Sequence, residues 1–399
     1  MVADYLKHSS LQSGFTARVP ILRDYTGSPN YVHTEYFADH TPPAVTVDEY
    51  VLGKNPFKCP YAPRGAVPQQ QYVHQFKNIF FVLGKMFTPD GAYLYENVRI
   101  KRESLSHLYI GDAPHARLQE DLFAIKLKSP TGASDRTMWI DSPCMPFSHP
   151  GFGNRYGHLL LENLPQLWVL SKGYKLKLLL HPDMETVPEY LLAWVKPFGL
   201  GEEDFIIPNY SAVCKEIYAP SRPYVQFSYI SVYAKAIWKA IANFYAKDER
   251  VNKDLKIYVS RAKFPGRRLL QEAECEWLFR HNGFEIINPE EMSAVEQINI
   301  FSRASHIAGP VGSGLHNVVF SRNRGVKTLA LMPEGFPSRA AVKNIEAWFS
   351  RPIYTIYGQY TPVSADVGVG ELYAADWTLD MEDVEEGLAQ WLGLGCAGK

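Results

Sequence analysis

From about residue 256 onward, short apolar runs alternate with amphipathic stretches, and this alternation constrains the fold more than any other feature of the chain. The pattern predicts strands over 257–260, 284–287, 305–309 and 326–331, and helices over 271–282, 293–304 and 314–322. Strands that alternate with helices form parallel sheets with helices on both faces. A similar alternation starts near residue 155. We therefore expect an α/β fold with two Rossmann-like, doubly wound domains that face a cleft.

The first part of the chain gives a different pattern. Its β-rich runs predict strands over 78–84, 92–100, 121–128 and 137–143. Further elements are then predicted as a helix over 156–173, a strand over 174–182, a helix over 188–200 that ends at Gly199, a strand over 216–221 and a helix over 230–246. The N-terminal part is therefore expected to be rich in β-structure before the alternation begins.

The length of the chain predicts more than one domain. It has 399 residues, whereas a single core rarely grows beyond about 250–300 residues. The charged segment 247–256 is the best candidate for a linker. We expect an N-terminal domain over 1–250, a second domain over 251–360, and a tail with a helix over 361–399.

Charge and composition exclude several classes of protein. The formal net charge is -1, which gives no electrostatic reason to expect nucleic acid as a partner. The five cysteines form no CxxC pair, so metal-ligand spacing is absent and a reducing compartment is favoured. No signal-peptide core and no apolar window of about 18 residues is found. We expect a cytoplasmic protein without a transmembrane span, and peripheral attachment to a membrane stays open.

Basic residues follow the first strand of the second alternating series. Arg261, Arg267 and Arg268 lie in one loop, and guanidinium groups bind phosphate oxygens in a bidentate manner. The alternative is a solvated basic loop that forms ion pairs with Glu272 and Glu274.

Two polar residues, Glu296 and Gln297, open a later helix of the same series. A glutamate there could bind ribose hydroxyls, or it could simply favour the helix dipole.

The segment GPVGSGLHNVVF, residues 309–320, follows a predicted strand and opens a helix. Backbone N–H groups at a helix start bind anions, and small residues allow close approach. The candidates here are Gly312, Ser313 and Gly314, followed by His316 and Asn317. The segment is neither GxGxxG nor a Walker loop, so it carries little information by itself.

A second constellation, NRYGHLLLENLPQLWVL over 154–170, contains His158 and Glu162. Residues four apart lie on the same face of a helix. A histidine near neutral pKa suits a general base, and Glu162 would orient it. The alternative is an ordinary ion pair on the helix face.

Together, these motifs resemble family 61 glycosyltransferases in their order and spacing, over about 160–335. The matching residues are Ser260-Arg261, Arg267-Arg268, Glu272, Glu274, Gly283-Phe284-Glu285, Ser293, Glu296-Gln297, Gly309, Gly312, Gly314-Leu315, Asn317 and Phe320, and in the earlier segment Asn154, His158, Leu160, Leu161, Glu162, Leu164, Pro165 and Leu167. The chain departs from the family pattern at Gln271 (usually Asn), Ser313 (usually Ala) and Val311 (usually His).

The resemblance implies a GT-B-like fold and an inverting, metal-independent glycosyltransferase of the EC 2.4 class. The donor would be a nucleotide sugar, with a UDP-sugar as the first candidate, and the acceptor an oligosaccharide or glycolipid in bacterial surface or capsular polysaccharide synthesis. The resemblance implies no further cofactor. The C-terminal helix, capped by Thr378 or Asp380, would pack back on the N-terminal domain.

The resemblance also implies a role for each candidate residue. His158 would be the general base and Glu162 its partner. The donor would be bound by Arg261, Arg267, Arg268, Glu296, Gln297, Gly312, Ser313, Gly314, His316 and Asn317, with Arg261 and Arg268 on the diphosphate and Glu296 on the ribose.

Two other functions compete with this one. A Rossmann-type epimerase or oxidoreductase is disfavoured, because no GxGxxG follows an early strand. A degenerate, non-catalytic module that binds nucleotide or glycan is favoured by Val311.

Overall fold

The computed structural model of the chain describes residues 21–22, 27–42, 45–63, 70–82, 85–87, 93–94, 138–147, 156–181, 184–208, 211–225, 229–246, 252, 254–336, 340–361, 372 and 374–393. The predicted strand at 121–128, most of the predicted strand at 92–100 and most of the predicted linker at 247–256 lie outside these residues.

The described residues form strands and helices in the following order. The strands are β1 (Ile21–Leu22), β2 (Tyr31–Ala38), β3 (Val47–Val51), β4 (Phe57–Tyr61), β5 (Gln70–Val82), β6 (Lys85–Phe87), β7 (Tyr93–Leu94), β8 (Met138–Ile140), β9 (Cys144–Pro146), β10 (Lys177–Leu179), β11 (Phe205–Ile206), β12 (Ser211–Pro220), β13 (Tyr224–Val225), β14 (Tyr229–Ile230), β15 (Lys256–Val259), β16 (Glu285–Ile287), β17 (His306–Pro310), β18 (Lys327–Pro333), β19 (Ile353–Tyr360) and β20 (Trp377–Thr378). The helices are α1 (Glu189–Val195), α2 (Val232–Tyr245), α3 (Glu272–His281), α4 (Ala294–Arg303), α5 (Ala340–Trp348) and α6 (Met381–Leu392), with an irregular helical segment over 156–172 and 3₁₀ helices at Lys196–Phe198, Glu202–Asp204, Pro289–Glu291 and Ser313–Phe320.

The chain divides into two compact units. The first takes its residues from 1–40, 68–225 and 232–234, and the second from 41–67, 226–231 and 235–399. Each unit is built around its own sheet.

The sheet of the second unit has the order β16-β15-β17-β18-β19-β3-β4, with β20 paired to β19. All strands from β16 to β3 in this order run parallel to their neighbours. In strand β18, six of the seven residues are buried, as expected for a parallel strand that is covered on both faces. The alternation predicted from residue 256 onward is confirmed, with boundaries that differ by one or two residues.

The β3–β4 hairpin belongs to the second unit, although its residues lie within the 1–250 range predicted for the first domain. Glu49 and Tyr50 of β3 pair in parallel register with Ile353 and Tyr354 of β19. The rings of Tyr50 and Tyr354 stack with centroids 5.2 Å apart. The hairpin therefore extends the parallel sheet of the second unit at its β19 edge.

The C-terminal helix α6 begins after Asp380, whose side chain accepts a hydrogen bond from the Glu382 N–H. Asp380 is one of the two capping residues predicted. The helix buries Val384, Leu388 and Trp391 in the core of the second unit, a spacing typical of one helix face. It packs on α3 and β19, and the packing on the N-terminal domain implied by the resemblance stays a prediction.

The sheet of the first unit is mixed. Its main order is β1-β7-β6-β5-β12-β9-β10-β11, and β2 and β8 pair with β5 and β12 respectively. The long strand β5 is antiparallel to β2, β6 and β12, whereas β8, β9, β10 and β11 pair in parallel. The expected β-rich N-terminal part is confirmed. The doubly wound, parallel arrangement expected for this unit does not extend to the strands around β5, which pair in antiparallel fashion.

Among the described residues, no helix is both long and apolar enough to cross a lipid bilayer.

Candidate functional site

The order of strands in the second unit places two loops next to each other at the carboxyl ends of neighbouring strands. Counted along the chain, β15 to β19 stand in the order 2-1-3-4-5, so the chain leaves β15 and β17 toward opposite sides of the sheet. Ligands in such folds bind at the carboxyl ends of the strands where the order reverses. The loop 261–271, which carries the three arginines and is called the arginine loop, follows β15. Residues 309–320, called the glycine segment, continue from the end of β17, so both lie at this position.

Arg261 is the first of the two arginines that reach the glycine segment. Its Nη2 donates to the Gly266 carbonyl oxygen at 3.1 Å, and its guanidinium lies 4.6 Å from the centre of the Phe264 ring. Its Nε is buried and has no hydrogen-bond partner among the described residues. Burial lowers the pKa of Arg261, against the opposing effect of Glu272 and Glu290.

Arg267 approaches the same place from the other end of the loop. Its backbone has a φ of 51°, a left-handed conformation that is uncommon for residues other than glycine. Its Nη2 donates to the Val311 carbonyl oxygen at 2.9 Å, and its guanidinium lies 4.8 Å from the centre of the Phe336 ring. The side chain is thus held against the start of the glycine segment.

Gly312 lies between these two guanidinium groups. A Cβ at this position would overlap Nη1 of Arg261 and would lie 3.3 Å from Nη2 of Arg267. A side chain here would displace the Arg261 guanidinium, so glycine allows this close approach, whereas the backbone itself is extended, with a φ of 172°. The structure therefore brings Arg261, Arg267 and Gly312 together.

Arg268 is placed differently. Its Nε and Nη2 donate to Oδ2 of Asp376 at 3.0 and 2.6 Å, and its backbone N–H donates to Oδ1 at 2.8 Å. The pair is exposed on the arginine side, where 62% of the side chain is accessible. Hydrogen bonding to Asp376 raises the pKa of Arg268, and hydrogen bonding to Arg268 lowers the pKa of Asp376. Arg267, and not Arg268, is the arginine that accompanies Arg261 at Gly312.

Glu272 is hydrogen-bonded to the start of the arginine loop. It is the first residue of α3 and is only 6% exposed. Its Oε1 accepts hydrogen bonds from the Arg261 backbone N–H at 3.0 Å and from the Tyr258 hydroxyl at 3.1 Å. Burial raises the pKa of its carboxyl to about 7, although both hydrogen bonds act in the opposite direction. From the sequence alone, Glu272 was only a match to the family pattern and a possible ion-pair partner of the basic loop.

Glu296 forms a capping box with Ser293 at the start of α4. Its Oε2 accepts from the Ser293 N–H at 2.8 Å and from the Ser293 hydroxyl at 2.7 Å, and the Glu296 N–H donates back to that hydroxyl at 3.3 Å. These bonds lower the pKa of the carboxyl. The carboxylate thus satisfies the helix N-terminus, and its predicted contact with ribose stays a prediction.

Gln297 and Asn317 are buried and bonded to each other. Nδ2 of Asn317 donates to Oε1 of Gln297 at 3.1 Å and to the Gly314 carbonyl oxygen at 3.2 Å. Nε2 of Gln297 donates to the carbonyl oxygens of Pro289 and Met292 at 2.7 and 3.1 Å. These amides connect the start of α4 to the glycine segment, so they shape the loop from within.

The remaining candidates lie on the 3₁₀ helix Ser313–Phe320. Ser313 is exposed, whereas Gly314 and His316 are half-buried. Gly312 stands at the N-cap, and the first N–H groups of a helix have no partner within it. This end of the segment therefore presents backbone donors beside the two guanidinium groups.

The second constellation lies in the first unit. The helical segment 156–172 begins with one α-helical turn, continues as a π-helix over Leu159–Asn163 and ends as a 3₁₀ helix over Leu164–Lys172. Pro165 lies at the start of the 3₁₀ part, where its missing N–H costs no hydrogen bond within the helix. The predicted helix is confirmed, with an irregularity of the kind often found at functional sites.

His158 and Glu162 form the predicted pair on this segment. Nδ1 of His158 lies 3.1 Å from Oε2 of Glu162. The carboxylate is 2% exposed and the imidazole 22% exposed. The contact with the buried carboxylate fixes the orientation of the imidazole ring.

The comparison with protein families agrees with these motifs. Residues 156–329 match the family model described as Glycosyltransferase 61. The predicted resemblance to family 61 glycosyltransferases is confirmed over this part of the chain. The match contains every candidate residue of both constellations, from His158 to Asn317. No curated protein matches the chain.

Two of the departures from the family pattern, Val311 and Gln271, lie within the matched residues and have structural explanations. Val311 is 2% exposed, its N–H donates to the Leu331 carbonyl oxygen at 2.8 Å, and its own carbonyl oxygen accepts from Arg267. Gln271 accepts a hydrogen bond at Oε1 from the Leu379 N–H at 3.0 Å. Both residues thus connect the loops to the core of the unit.

Metal ligands are a separate question for a glycosyltransferase. No group of three or more His, Cys, Asp or Glu side chains that could hold a metal ion occurs in the part of the chain that the structure describes. The independence from metal ions implied by the resemblance stays a prediction.

Proposed function

We propose that this protein is an inverting glycosyltransferase with a GT-B-like fold, which moves a sugar from a nucleotide-sugar donor to an oligosaccharide or glycolipid acceptor without a metal ion. The observation that carries the proposal is the pair of guanidinium groups of Arg261 and Arg267 on either side of Gly312, within the residues that match the Glycosyltransferase 61 family model. A UDP-sugar is the first donor to test. The setting we propose is cytoplasmic synthesis of a bacterial surface or capsular polysaccharide.

The arginine pair suits the leaving group of this reaction. When the bond between the anomeric carbon and the diphosphate oxygen breaks, negative charge develops on the nucleoside diphosphate. Guanidinium groups already held in place by Phe264, Phe336 and the Val311 carbonyl stabilise this charge without rearrangement. The N–H groups at the start of the 3₁₀ helix Ser313–Phe320 would add to this stabilisation.

The acceptor needs a base. In a single displacement, the acceptor oxygen forms the new bond to the anomeric carbon as its proton leaves. We assign this proton to Nε2 of His158, because Nδ1 lies beside the Glu162 carboxylate. The carboxylate then stabilises the imidazolium that forms.

The proposal is tested with UDP-, GDP-, dTDP- and CMP-sugars. A donor that binds should raise the melting temperature by mass action, and acceptor glycans should then stimulate release of the nucleotide. Failure of every nucleotide sugar to bind would overturn the proposal.

The second candidate is a non-catalytic module that binds nucleotide or glycan. It is favoured by Val311, whose buried side chain stands where the family usually has a histidine. Such a module would be stabilised by a nucleotide sugar but would release no nucleotide with any acceptor.

A further inference from the structure

The carboxylate of Glu272 accepts a hydrogen bond from the backbone N–H of Arg261, the first residue of the arginine loop. It lies beneath the loop at the N-terminus of α3, nine-tenths buried. One oxygen, Oε1, accepts from both β15 and the loop through the Tyr258 hydroxyl and the Arg261 N–H. The other oxygen, Oε2, is buried and has no hydrogen-bond partner among the described residues.

We propose that Glu272 is the positioning residue of Arg261, and that its carboxylate takes up a proton when the diphosphate of the donor binds beside that arginine. This inference rests on the proposed function, since it assumes that the anion at Gly312 is a nucleotide diphosphate.

The positioning role follows from the hydrogen bonds. The Arg261 N–H is held by Glu272 where the chain turns away from β15, and the Arg261 guanidinium then reaches Gly312. Removal of the carboxylate would leave this N–H and the Tyr258 hydroxyl without their acceptor, because both bond to the same oxygen. The start of the loop would then be free to shift, and the guanidinium with it.

The proton uptake follows from the charges around the carboxyl. Tyr258 faces it from β15, Arg261 from the loop, and Glu276 and Cys275 from its own helix. Glu290 also acts on Arg261. Arg261 is therefore the cation that stabilises the ionised form of Glu272. A diphosphate that engages Arg261 competes for that cation and adds negative charge, so anion binding favours the protonated carboxyl.

Because the pKa of Glu272 already lies at about 7, this coupling falls in an accessible pH range. Linkage makes the effect reciprocal: if the anion favours the protonated carboxyl, protonation favours the anion. Donor affinity should therefore be highest below the pKa of Glu272 and should fall as pH rises through it.

The test uses UDP-glucose, GDP-mannose and dTDP-glucose, whose diphosphate diesters keep a constant charge over the pH range used. Their dissociation constants are measured by calorimetry at about pH 5.5 and about pH 8.5 for the wild-type protein, Glu272→Gln and Glu274→Gln. Glu274→Gln is the matched control, because it removes the same charge from the same helix at an exposed position. Any pH dependence that His316 causes is common to all three proteins.

We expect wild type and Glu274→Gln to bind about tenfold more tightly at the lower pH. Glu272→Gln keeps an acceptor oxygen but cannot ionise, so it should bind at both pH values as wild type binds at the lower one. Wild-type pH dependence in Glu272→Gln would overturn the proton uptake.

The positioning role is tested separately with Glu272→Ala, which should bind about tenfold more weakly than Glu272→Gln at both pH values, by loss of a hydrogen bond to the loop. Equal binding by these two variants would overturn the positioning role. Circular dichroism shows whether each variant is folded, and the glutamine variant carries the test of proton uptake even if the alanine variant unfolds. If wild type binds none of the three probes at either pH, the proposed function itself falls, which is a different result from an unchanged variant.

Discussion

Neighbouring arginines in the loop after β15 have different partners, and this difference predicts a different contribution of each to donor binding. Arg267 donates to the Val311 carbonyl oxygen beside Gly312, whereas Arg268 donates two side-chain hydrogen bonds to one carboxylate oxygen of Asp376. We expect Arg267→Gln to lower kcat/KM for the nucleotide sugar by about 10²-fold, the usual cost of a lost charge-stabilising donor. Arg268→Gln should lower it only a few-fold, as measured by steady-state release of nucleotide.

The control for this prediction is Asp376→Asn, which leaves Arg268 in place but removes the charge it pairs with. If Arg268 serves only the pair, both variants should have the same small effect. A 10²-fold loss of kcat/KM in Arg268→Gln, together with a normal value in Asp376→Asn, would instead mean that Arg268 binds the donor, as the resemblance alone suggests.

His158 allows a sharper test, because a base and a binding residue fail in different ways. We expect His158→Gln to reduce transfer by at least about 10²-fold, within the usual contribution of general base catalysis, while the dissociation constant for the donor stays unchanged. Glu162→Gln should reduce transfer less, since it keeps a hydrogen-bond acceptor beside Nδ1. A His158→Gln variant that still transfers sugar at the normal rate would place the base elsewhere.

At the residue scale, the sequence identified the motifs but not the partner of each side chain. The i, i+4 spacing was enough to predict the contact of His158 with Glu162. The partners of Arg267 and Arg268 lie far along the chain, at Val311 and Asp376, and no local pattern specifies such contacts. The buried position of Glu272 was also hidden, because an acidic residue in a first helical turn looks the same whether it faces solvent or the core.

Helix α4 shows how one element can be read in two ways. The sequence Ser-x-x-Glu at its start fits a capping box, and the structure shows both reciprocal hydrogen bonds. We expect Ser293→Ala to lower the free energy of unfolding by about 1 kcal/mol, the usual cost of a lost N-cap, as measured by urea denaturation.

The same helix tests the ribose contact of Glu296. If the carboxylate serves only the cap, Glu296→Ala should lower the free energy of unfolding as Ser293→Ala does. Neither variant should change nucleotide affinity when it is measured under conditions in which both variants are fully folded. Weaker nucleotide binding in Glu296→Ala alone would support the ribose contact.

At the element scale, periodicity predicted most helices and strands of the second unit. The buried strands β15, β17 and β18 are apolar runs bounded by turns, which is the signal that such strands give. The segment 156–172 was predicted as a regular helix, and the pattern did not show the π and 3₁₀ parts. The buried residues Leu160, Leu164 and Leu167 keep the spacing of a helix face, so periodicity alone does not separate these helix types.

At the scale of the whole molecule, sequence order proved a poor guide to which unit a segment joins. The β3–β4 hairpin lies near the N-terminus, yet it completes the sheet of the second unit through β19. The sequence predicted neither the hairpin nor its neighbour, and the pairing partner lies about three hundred residues away along the chain. The unit that carries the arginine loop is therefore assembled from both ends of the chain.

A buried ion pair holds this hairpin in place. Lys343 of α5 contacts Glu49 of β3, and each side chain is 7% exposed. The ammonium group also donates to the Tyr357 hydroxyl of β19 at 2.8 Å. Removal of one partner leaves the other charge buried without compensation, which costs more than the pair contributes when intact.

We therefore expect Lys343→Met to lower the free energy of unfolding by about 3–5 kcal/mol, as measured by chemical denaturation. Because the chain forms two units, the loss should be confined to one transition, the one that a bound nucleotide sugar raises. The matched control is Lys58→Met on the same hairpin, whose exposed pair with Asp48 should matter little. The double variant Glu49→Leu/Lys343→Met should recover most of the loss, since it leaves no buried charge. A loss that is equal in Lys58→Met, or that falls on the transition insensitive to nucleotide sugar, would mean that the hairpin does not stabilise the second unit in the way proposed.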